Sequence, residues 1–368
     1  MNNRLHRLHA EFGQSPWLDN LRRGWITGGQ LVALRDRGVR GLTSNPTIFQ
    51  KAIQGSADYD EQFSSLTRQR VSTSDAYWSL VLRDIDSALD VFAPIHESSG
   101  GEDGFVSVEV DPNLAHDGPG TLASARDLHQ RVARPNVMIK IPATREGLPA
   151  IRTMIGEGRS VNVTLIFSLE RYAEVLEAYV AGLEDLAAKS NASLAGVASV
   201  GSFFISRVDT EVDRRLETIG TPRALELRGK SAVAQGQLAY KIFLDTFSGP
   251  RWQQLATRGA RVQRPLWAST STKNPSYRDT LYVDELIGPD TVNTLPDSTL
   301  EAFDDHGVLA RRVDADFDRA AREWSDLAEV GIDLDAVASQ LEREGVSSFQ
   351  KSFDELLTAL TAKAAELG

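Results

Sequence analysis

N-V-M-I-K-I-P-A-T-R-E-G-L, residues Asn136 to Leu148, sets a lysine inside a run that otherwise reads as a buried strand. Val137, Met138, Ile139 and Ile141 form a short apolar segment, and Pro142 with the polar residues after it marks the end. Lys140 is therefore expected near the C-terminal end of a strand. Lysine is rarely buried unless it is paired or at work, because desolvation disfavours an ammonium. The free amine that desolvation favours is a nucleophile for a carbonyl carbon. The alternative is a strand-end lysine whose ammonium snorkels to solvent, and this segment alone leaves both readings open. Composition bears on the choice. Of forty Lys and Arg residues only eight are lysines, at positions 51, 140, 189, 230, 241, 273, 351 and 363. Where any cation would serve this chain uses arginine, and a guanidinium cannot form a Schiff base.

Around this strand the chain alternates short apolar runs with helical patterns, the signature of repeated βα units and a parallel sheet. The expected strands are Ser15 to Asp19, Gly41 to Ser44, Gly104 to Val110, Asn136 to Ile141, Ser160 to Ile166, Gly196 to Val200, Arg264 to Ser269 and Thr291 to Leu295. Eight such strands close a barrel, so the expected fold is α/β, a (β/α)8 TIM barrel. Ser74 can cap a helix on which Tyr77, Val81, Ile85, Leu89 and Phe92 share a face, with Pro94 near its end. Ser168 can cap another, with Glu170 in its first turn. Extra helices are expected between strands six and seven, at about 207–258, and at the C-terminus, at about 309–367. The latter read as three patterns, Leu309 to Val330, Asp335 to Gly345 and Ser347 to Leu367. These additions are expected to decorate a single barrel domain over residues 1–368.

Length agrees, since α/β barrels of 200 to over 400 residues fold as one unit. Hydrophobic residues make up 41% of the chain and charged residues 25%, as in ordinary globular enzymes. A formal charge of −11 argues against a non-specific nucleic-acid binder or a basic membrane-surface module. It does not exclude an anionic substrate, because a few local cations can dominate a cleft. The absence of cysteine excludes disulfides, thiolate metal sites and cysteine nucleophiles. Met1 to Gly13 has no apolar core of signal-peptide length, and Leu194 to Ile205 is too short and broken to span a membrane. The expected location is cytoplasmic.

A barrel builds its active site at the C-terminal ends of its strands, and polar or charged groups stand at nearly all of them. Asp19 ends strand one, and Thr43, Ser44 and Asn45 end strand two. Glu109 and Asp111 end strand three, and Thr144 follows Lys140. Asn162 and Thr164 lie in strand five, Ser202 and Arg207 follow strand six, and Ser269, Ser271 and Lys273 follow strand seven. Singly, each has a plain explanation. Asp19 and Asn45 suit helix caps or turns; Asn162 and Thr164 suit an inward polar layer; Arg207 could pair with Asp209 or Glu211; and Ser269 to Thr272 could be only a loop. Together they are hard to explain as packing.

The segments G-L-T-S-N-P-T-I-F, S-V-E-V-D-P and V-M-I-K-I-P-A-T-R-E-G-L, in this order, resemble the transaldolase signatures. V-N-V-T-L-I-F-S and S-T-S-T-K-N-P also fit, and the resemblance runs from about Trp17 to Ala302. It is to the longer bacterial form, of actinobacterial type, without a fused phosphoglucose isomerase domain. In that family the barrel is permuted so that the Schiff-base lysine falls on strand four, where Lys140 stands. The resemblance implies a cofactor-free transfer of a dihydroxyacetone unit between phosphorylated sugars of the pentose phosphate pathway. Sedoheptulose 7-phosphate or fructose 6-phosphate would be the donor. Lys140 would be the nucleophile and Glu109, through a water that Thr164 helps hold, the proton shuttle. Asp19 would take the C4 hydroxyl proton. Asn45, Asn162 and Ser202 would bind the donor, and Arg207, Ser269 and Lys273 its phosphate. The short transaldolases carry arginine near the position of Lys273, and lysine supplies a point charge instead of a fork.

Three rivals are set against this reading. A Schiff-base fructose-6-phosphate aldolase is the nearest, and its shorter relatives tend to lack a glutamate on strand three. A metal-dependent lyase would use Glu109, Asp111, His116 and Asp117, a weak ligand pattern; the favoured reading has no metal. A sugar-phosphate sensor would bind without a covalent intermediate. No nucleic-acid or membrane partner is expected, and monomer and homodimer are equally open.

Overall fold

The run around Lys140 is the fourth strand of a closed eight-stranded barrel. The computed structural model describes residues 3–189 and 193–367. The strands are β1 (Gln14–Leu18), β2 (Leu42–Thr43), β3 (Val106–Glu109), β4 (Val137–Pro142), β5 (Val161–Ile166), β6 (Ser199–Phe204), β7 (Gln263–Ala268) and β8 (Thr291–Leu295). Every adjacent pair is parallel, and β8 closes onto β1 from Gln14 opposite Thr291 to Leu18 opposite Leu295. All six residues of β4 and of β5 are buried, as a sheet covered by helices requires.

Register aligns the chemistry. Glu109 of β3 lies opposite Lys140 of β4, and Lys140 opposite Asn162 of β5. Directly opposed residues in a sheet share a face, so the three form one row across three strands. Two residues further along β5, Thr164 is on the same face. A register shift against β6 follows between Val163 and Ile166, where Leu165 takes a left-handed backbone with φ of 61°. Such a bulge bends the strand beside a site.

Beneath the site, the opposite end of the barrel is clamped by Asp103, which is 1% exposed. Its carboxylate accepts from Ser15 Oγ at 2.7 Å, Trp17 Nε1 at 3.1 Å and Arg40 Nε at 2.7 Å, and pairs with Arg264 at 3.1 Å. Interactions at that end serve stability.

Several boundaries differ from those read in the sequence. Strand six runs from Ser199 to Phe204, not from Gly196 to Val200, so Ser202 lies within the strand and not after it. Ser72, not Ser74, caps the helix Thr73–Ser98, accepting from the backbone of Asp75; Ser74 is inside its first turn. Pro94 lies near the end of that helix, as expected, where one missing donor costs little of the ladder. Ser168 caps the helix Leu169–Ala187 as expected. Between β6 and β7 stand four helices, Ser206–Ile219, Pro222–Glu226, Ser231–Thr246 and Pro250–Ala256. After β8 and the helix Asp297–His306, no helix begins at Leu309; one spans Phe317–Glu329 instead. The last two expected helices are one, Leu334–Leu367, 34 residues long. Gly345 does not break it. A Cβ there would come within 2.9 Å of Leu165 Cδ2, so the glycine lets the helix backbone lie directly on β5. A further helix, Arg4–Phe12, precedes β1. Among the described residues no helix is long and apolar enough to cross a membrane.

Candidate active site

The strand ends on the C-terminal side open into a cavity of about 1000 Å³. Lys140, Asp19, Asn45, Thr164, Ser202, Arg207, Ser269 and Lys273 all line it. Lys140 is at its floor, 4% exposed. Its Nζ is 3.1 Å from Glu109 Oε2 and donates to the backbone oxygen of Ser44 at 3.3 Å. The approach to Glu109 is an ion pair without the alignment of a hydrogen bond, so Oε2 is a buried acceptor with no directed donor. Burial raises the Glu109 carboxyl above its usual range, and the charge of Lys140 opposes that rise. Glu109 is behind the lysine and does not line the cavity.

Asp19 lines the same cavity as Lys140. Its Oδ1 accepts from Thr43 Oγ1 at 2.8 Å, and Thr43 is in turn 2.7 Å from Thr294 Oγ1. Its pKa too is raised by crowding within the protein, against the opposing pull of Lys140 and Thr43. Two carboxyls displaced toward their protonated forms thus act on one amine, Asp19 from the cavity lining and Glu109 from behind the lysine. Such groups are suited to proton exchange with the amine.

The other residues sort by what they touch. Thr164 is fully buried at the cavity wall, and its hydroxyl has no protein partner. Asn162 is one layer lower and outside the cavity lining. Its amide donates to Ser107 Oγ at 3.0 Å and its oxygen accepts from Ser202 Oγ at 2.7 Å, which fixes the Ser202 hydroxyl at the floor. Asn45 caps the helix Pro46–Gln54 by accepting from the backbone of Ile48 at 2.9 Å, and also lines the cavity. The two roles coexist, because one amide carries both an acceptor and donors.

At the far side Arg207, in the first turn of the helix after β6, stacks on Phe204 with 5.4 Å from its guanidinium carbon to the ring centroid. Neither Asp209 nor Glu211 pairs with it. Asp209 accepts from Ser231, the backbone of Ala232 and Tyr282, while Glu211 pairs with Arg214 and Arg215. Among the described residues neither Arg207 nor Lys273 has an ion-pair partner. Ser269 has a left-handed backbone, φ 56°, which turns the chain after β7, and its Oγ is 3.0 Å from Ser206 Oγ. Lys273 donates to Ser271 Oγ. Although Lys273 retains open solvent contact, its pKa is lowered, first by enclosure and then by the charge of Arg207. The charge of Asp19 acts on both cations and that of Glu344 on Arg207, but neither is an ion pair, so the two cations can attract an anion.

Asp111, His116 and Asp117 do not join Glu109. Asp111 caps the 3₁₀ turn Pro112–Leu114, Asp117 caps the helix Gly118–Val132, and His116 faces Glu146 at 3.3 Å on the surface. Among the described residues no three metal-ligating side chains converge. Sequence reasoning did not find Phe349, whose ring lies over Lys140, or Thr294, which steadies Thr43. Thr294 carried the cue that polar strand-end residues carry elsewhere, whereas Phe349 is brought in from the C-terminal helix and carried none.

A family model described as Transaldolase/Fructose-6-phosphate aldolase matches residues 16–360. The chain is 50% identical to "Transaldolase 1" of Streptomyces coelicolor, over 97% of this chain and 94% of that protein. It is 52% identical to "Transaldolase" of Saccharopolyspora erythraea, over 97% and 96% of the two chains, and 52% identical to "Transaldolase" of Acidothermus cellulolyticus, over 95% and 94%. A parallel barrel with a buried lysine on β4, and this similarity over nearly the whole length, identify the chain as an enzyme that belongs to the transaldolase/fructose-6-phosphate aldolase family.

Proposed function

We propose that this enzyme is a transaldolase of the non-oxidative pentose phosphate pathway, working in the cytoplasm without a cofactor. It moves a dihydroxyacetone unit from sedoheptulose 7-phosphate or fructose 6-phosphate to an aldose phosphate, glyceraldehyde 3-phosphate or erythrose 4-phosphate. The observation that carries this reading is Lys140, buried on the cavity floor 3.1 Å from Glu109, with Arg207 and Lys273, neither in an ion pair among the described residues, lining the same cavity.

Glu109, whose carboxyl burial has made more basic, takes a proton from the Lys140 ammonium and frees the amine. The amine attacks C2 of the ketose. Loss of one water, with protons relayed by Glu109 through a water on the Thr164 hydroxyl, gives the iminium. Asp19 removes the C4 hydroxyl proton, the C3–C4 bond breaks, and its electron pair enters the iminium as an enamine. The aldose phosphate leaves. A second aldose accepts the enamine carbon, Asp19 returns the proton, and hydrolysis releases product and lysine. The iminium is itself the electron sink, which is why no cofactor is required. Asn45 and Ser202 hydrogen-bond the donor hydroxyls, Asn162 positions Ser202, and Arg207, Ser269 and Lys273 hold the phosphate. The helices between β6 and β7 and after β8 are read as additions to one barrel domain.

Transfer and simple cleavage differ in their need for an acceptor. With fructose 6-phosphate alone, glyceraldehyde 3-phosphate should appear to about one equivalent of enzyme and stop, and erythrose 4-phosphate should restore turnover. Continuous release without an acceptor would favour the aldolase reading. Binding with neither burst nor turnover would favour a sensor.

A further inference from the structure

The cavity floor is built by the barrel, but part of its roof comes from the far C-terminus. Phe349, on the helix Leu334–Leu367, lines the cavity, is 5% exposed, and presents its ring to Lys140 with Nζ 5.6 Å from the centroid. That distance is within the range at which an aromatic face attracts a cation.

The helix is not a loose flap. Ser352 Oγ is 2.8 Å from Thr47 Oγ1, and Glu355 accepts from Gln50 Nε2 at 2.8 Å, both on the helix after β2. Phe353 meets Tyr77 edge to face at 5.1 Å between centroids. Asp354 accepts from Asn113 Nδ2 at 3.2 Å after β3. Gly345 lies on Leu165 of β5, next to Thr164. One helix is therefore tied to the ends of three strands, and these ties set the Phe349 ring over the nucleophile.

We infer that Phe349 roofs the Schiff-base nitrogen. Its ring face stabilises the positive charge that the nitrogen carries as an iminium, and its bulk keeps bulk water from the retained three-carbon fragment. The inference rests on the Schiff-base reading above. In that reading the nitrogen is protonated and cationic before C3–C4 cleavage and neutral in the enamine. Premature hydrolysis protonates the enamine carbon, adds one water across C2 and returns free dihydroxyacetone and the amine. A roof over the nitrogen acts on the charge of the first state and on water access to the second.

The test is to compare Phe349→Leu, Phe349→Trp and Phe349→Ala with the unsubstituted enzyme, using fructose 6-phosphate with and without erythrose 4-phosphate. Two quantities are read: the fraction of enzyme trapped as a covalent adduct by borohydride, and the ratio of free dihydroxyacetone to transferred product. Both are normalised to folded protein by circular dichroism. Phe349→Leu keeps an apolar cover without a π face, so the trapped fraction should fall about five-fold while the ratio stays within about two-fold. Phe349→Trp should retain the trapped fraction. Phe349→Ala should in addition raise free dihydroxyacetone per transfer about ten-fold. A Leu variant that traps like the unsubstituted enzyme overturns the charge role, and a folded Ala variant with an unchanged ratio overturns the shielding role. If the Ala variant does not fold, the Leu and Trp pair still decides the charge role on which the proposal stands. An unsubstituted enzyme that forms no adduct overturns the Schiff-base reading itself and the roof with it.

Discussion

Lys140 and Glu109 are opposite charges 3.1 Å apart, both buried, and only the lysine needs to release a proton for the amine to attack. A guanidinium would preserve the pair but not the nucleophile. Lys140→Arg should therefore fold normally by circular dichroism yet lose at least about a thousand-fold in transfer activity, because covalent catalysis has no substitute here. Residual activity near that of the unsubstituted enzyme would remove Lys140 from the chemistry. Thr164 makes a finer point, since its buried hydroxyl has no protein partner and only a bound water or substrate could satisfy it. Thr164→Val removes the hydroxyl at nearly constant volume and should lower kcat about ten- to a hundred-fold with KM within about three-fold. A change in KM alone would make Thr164 a binding residue. Lys273→Ala should raise KM for phosphorylated sugars about ten-fold, with a smaller effect on kcat, since Arg207 remains to hold the phosphate. An unchanged KM would assign the anion to Arg207 alone. At this scale much of the cavity lining was legible, because a lysine in V-M-I-K-I-P departs from its surroundings in a way that apolar strands do not tolerate without cause. The division of labour between Asn162 and Ser202 was not, since it depends on which layer of the barrel each residue occupies.

Elements were legible where their pattern was strong and their ends were not shared. β4 and β5 were read nearly to the residue. β6 was shifted by three to four residues, because S-V-G-S-F-F mixes small polar residues with aromatics and only pairing with β7 selects its register. The helix after β6 carries a buried device of its own. Asp209, 1% exposed, accepts from Ser231 and the backbone of Ala232, and from Tyr282 at 2.9 Å. Burial nevertheless pushes its pKa up to about 6. The folded state then holds a proton that the unfolded chain has already released, so between about pH 4 and pH 6 stability falls as pH rises. Above pH 6 this contribution is flat. A shift from 3.8 to about 6 corresponds to roughly 3 kcal/mol as an upper bound. Asp209→Asn should remove that slope, so its stability relative to the unsubstituted enzyme should rise between pH 4.5 and pH 7 in urea unfolding. A pH-independent difference would show that Asp209 titrates at its ordinary value.

At the scale of the whole molecule, a chain of net charge −11 directs two cations that have no ion-pair partner among the described residues, Arg207 and Lys273, into one cavity, which is how an acidic protein can bind an anionic sugar. The barrel itself could be read from eight strand signals in order. The C-terminal helix could not, because its continuity through Gly345 and the placement of Phe349 come from contacts with β5 and with the helices after β2 and β3, hundreds of residues away. Local pattern carries no information about such contacts. The central claim joins all three scales: one lysine, on one strand, holds a three-carbon fragment between two substrates. It is tested most directly by borohydride reduction of the enzyme in the presence of fructose 6-phosphate, followed by intact-mass measurement and peptide mapping. The account predicts a single three-carbon dihydroxyacetone adduct on Lys140. An active, folded enzyme that yields no adduct, or yields it on any of the other seven lysines, would contradict it.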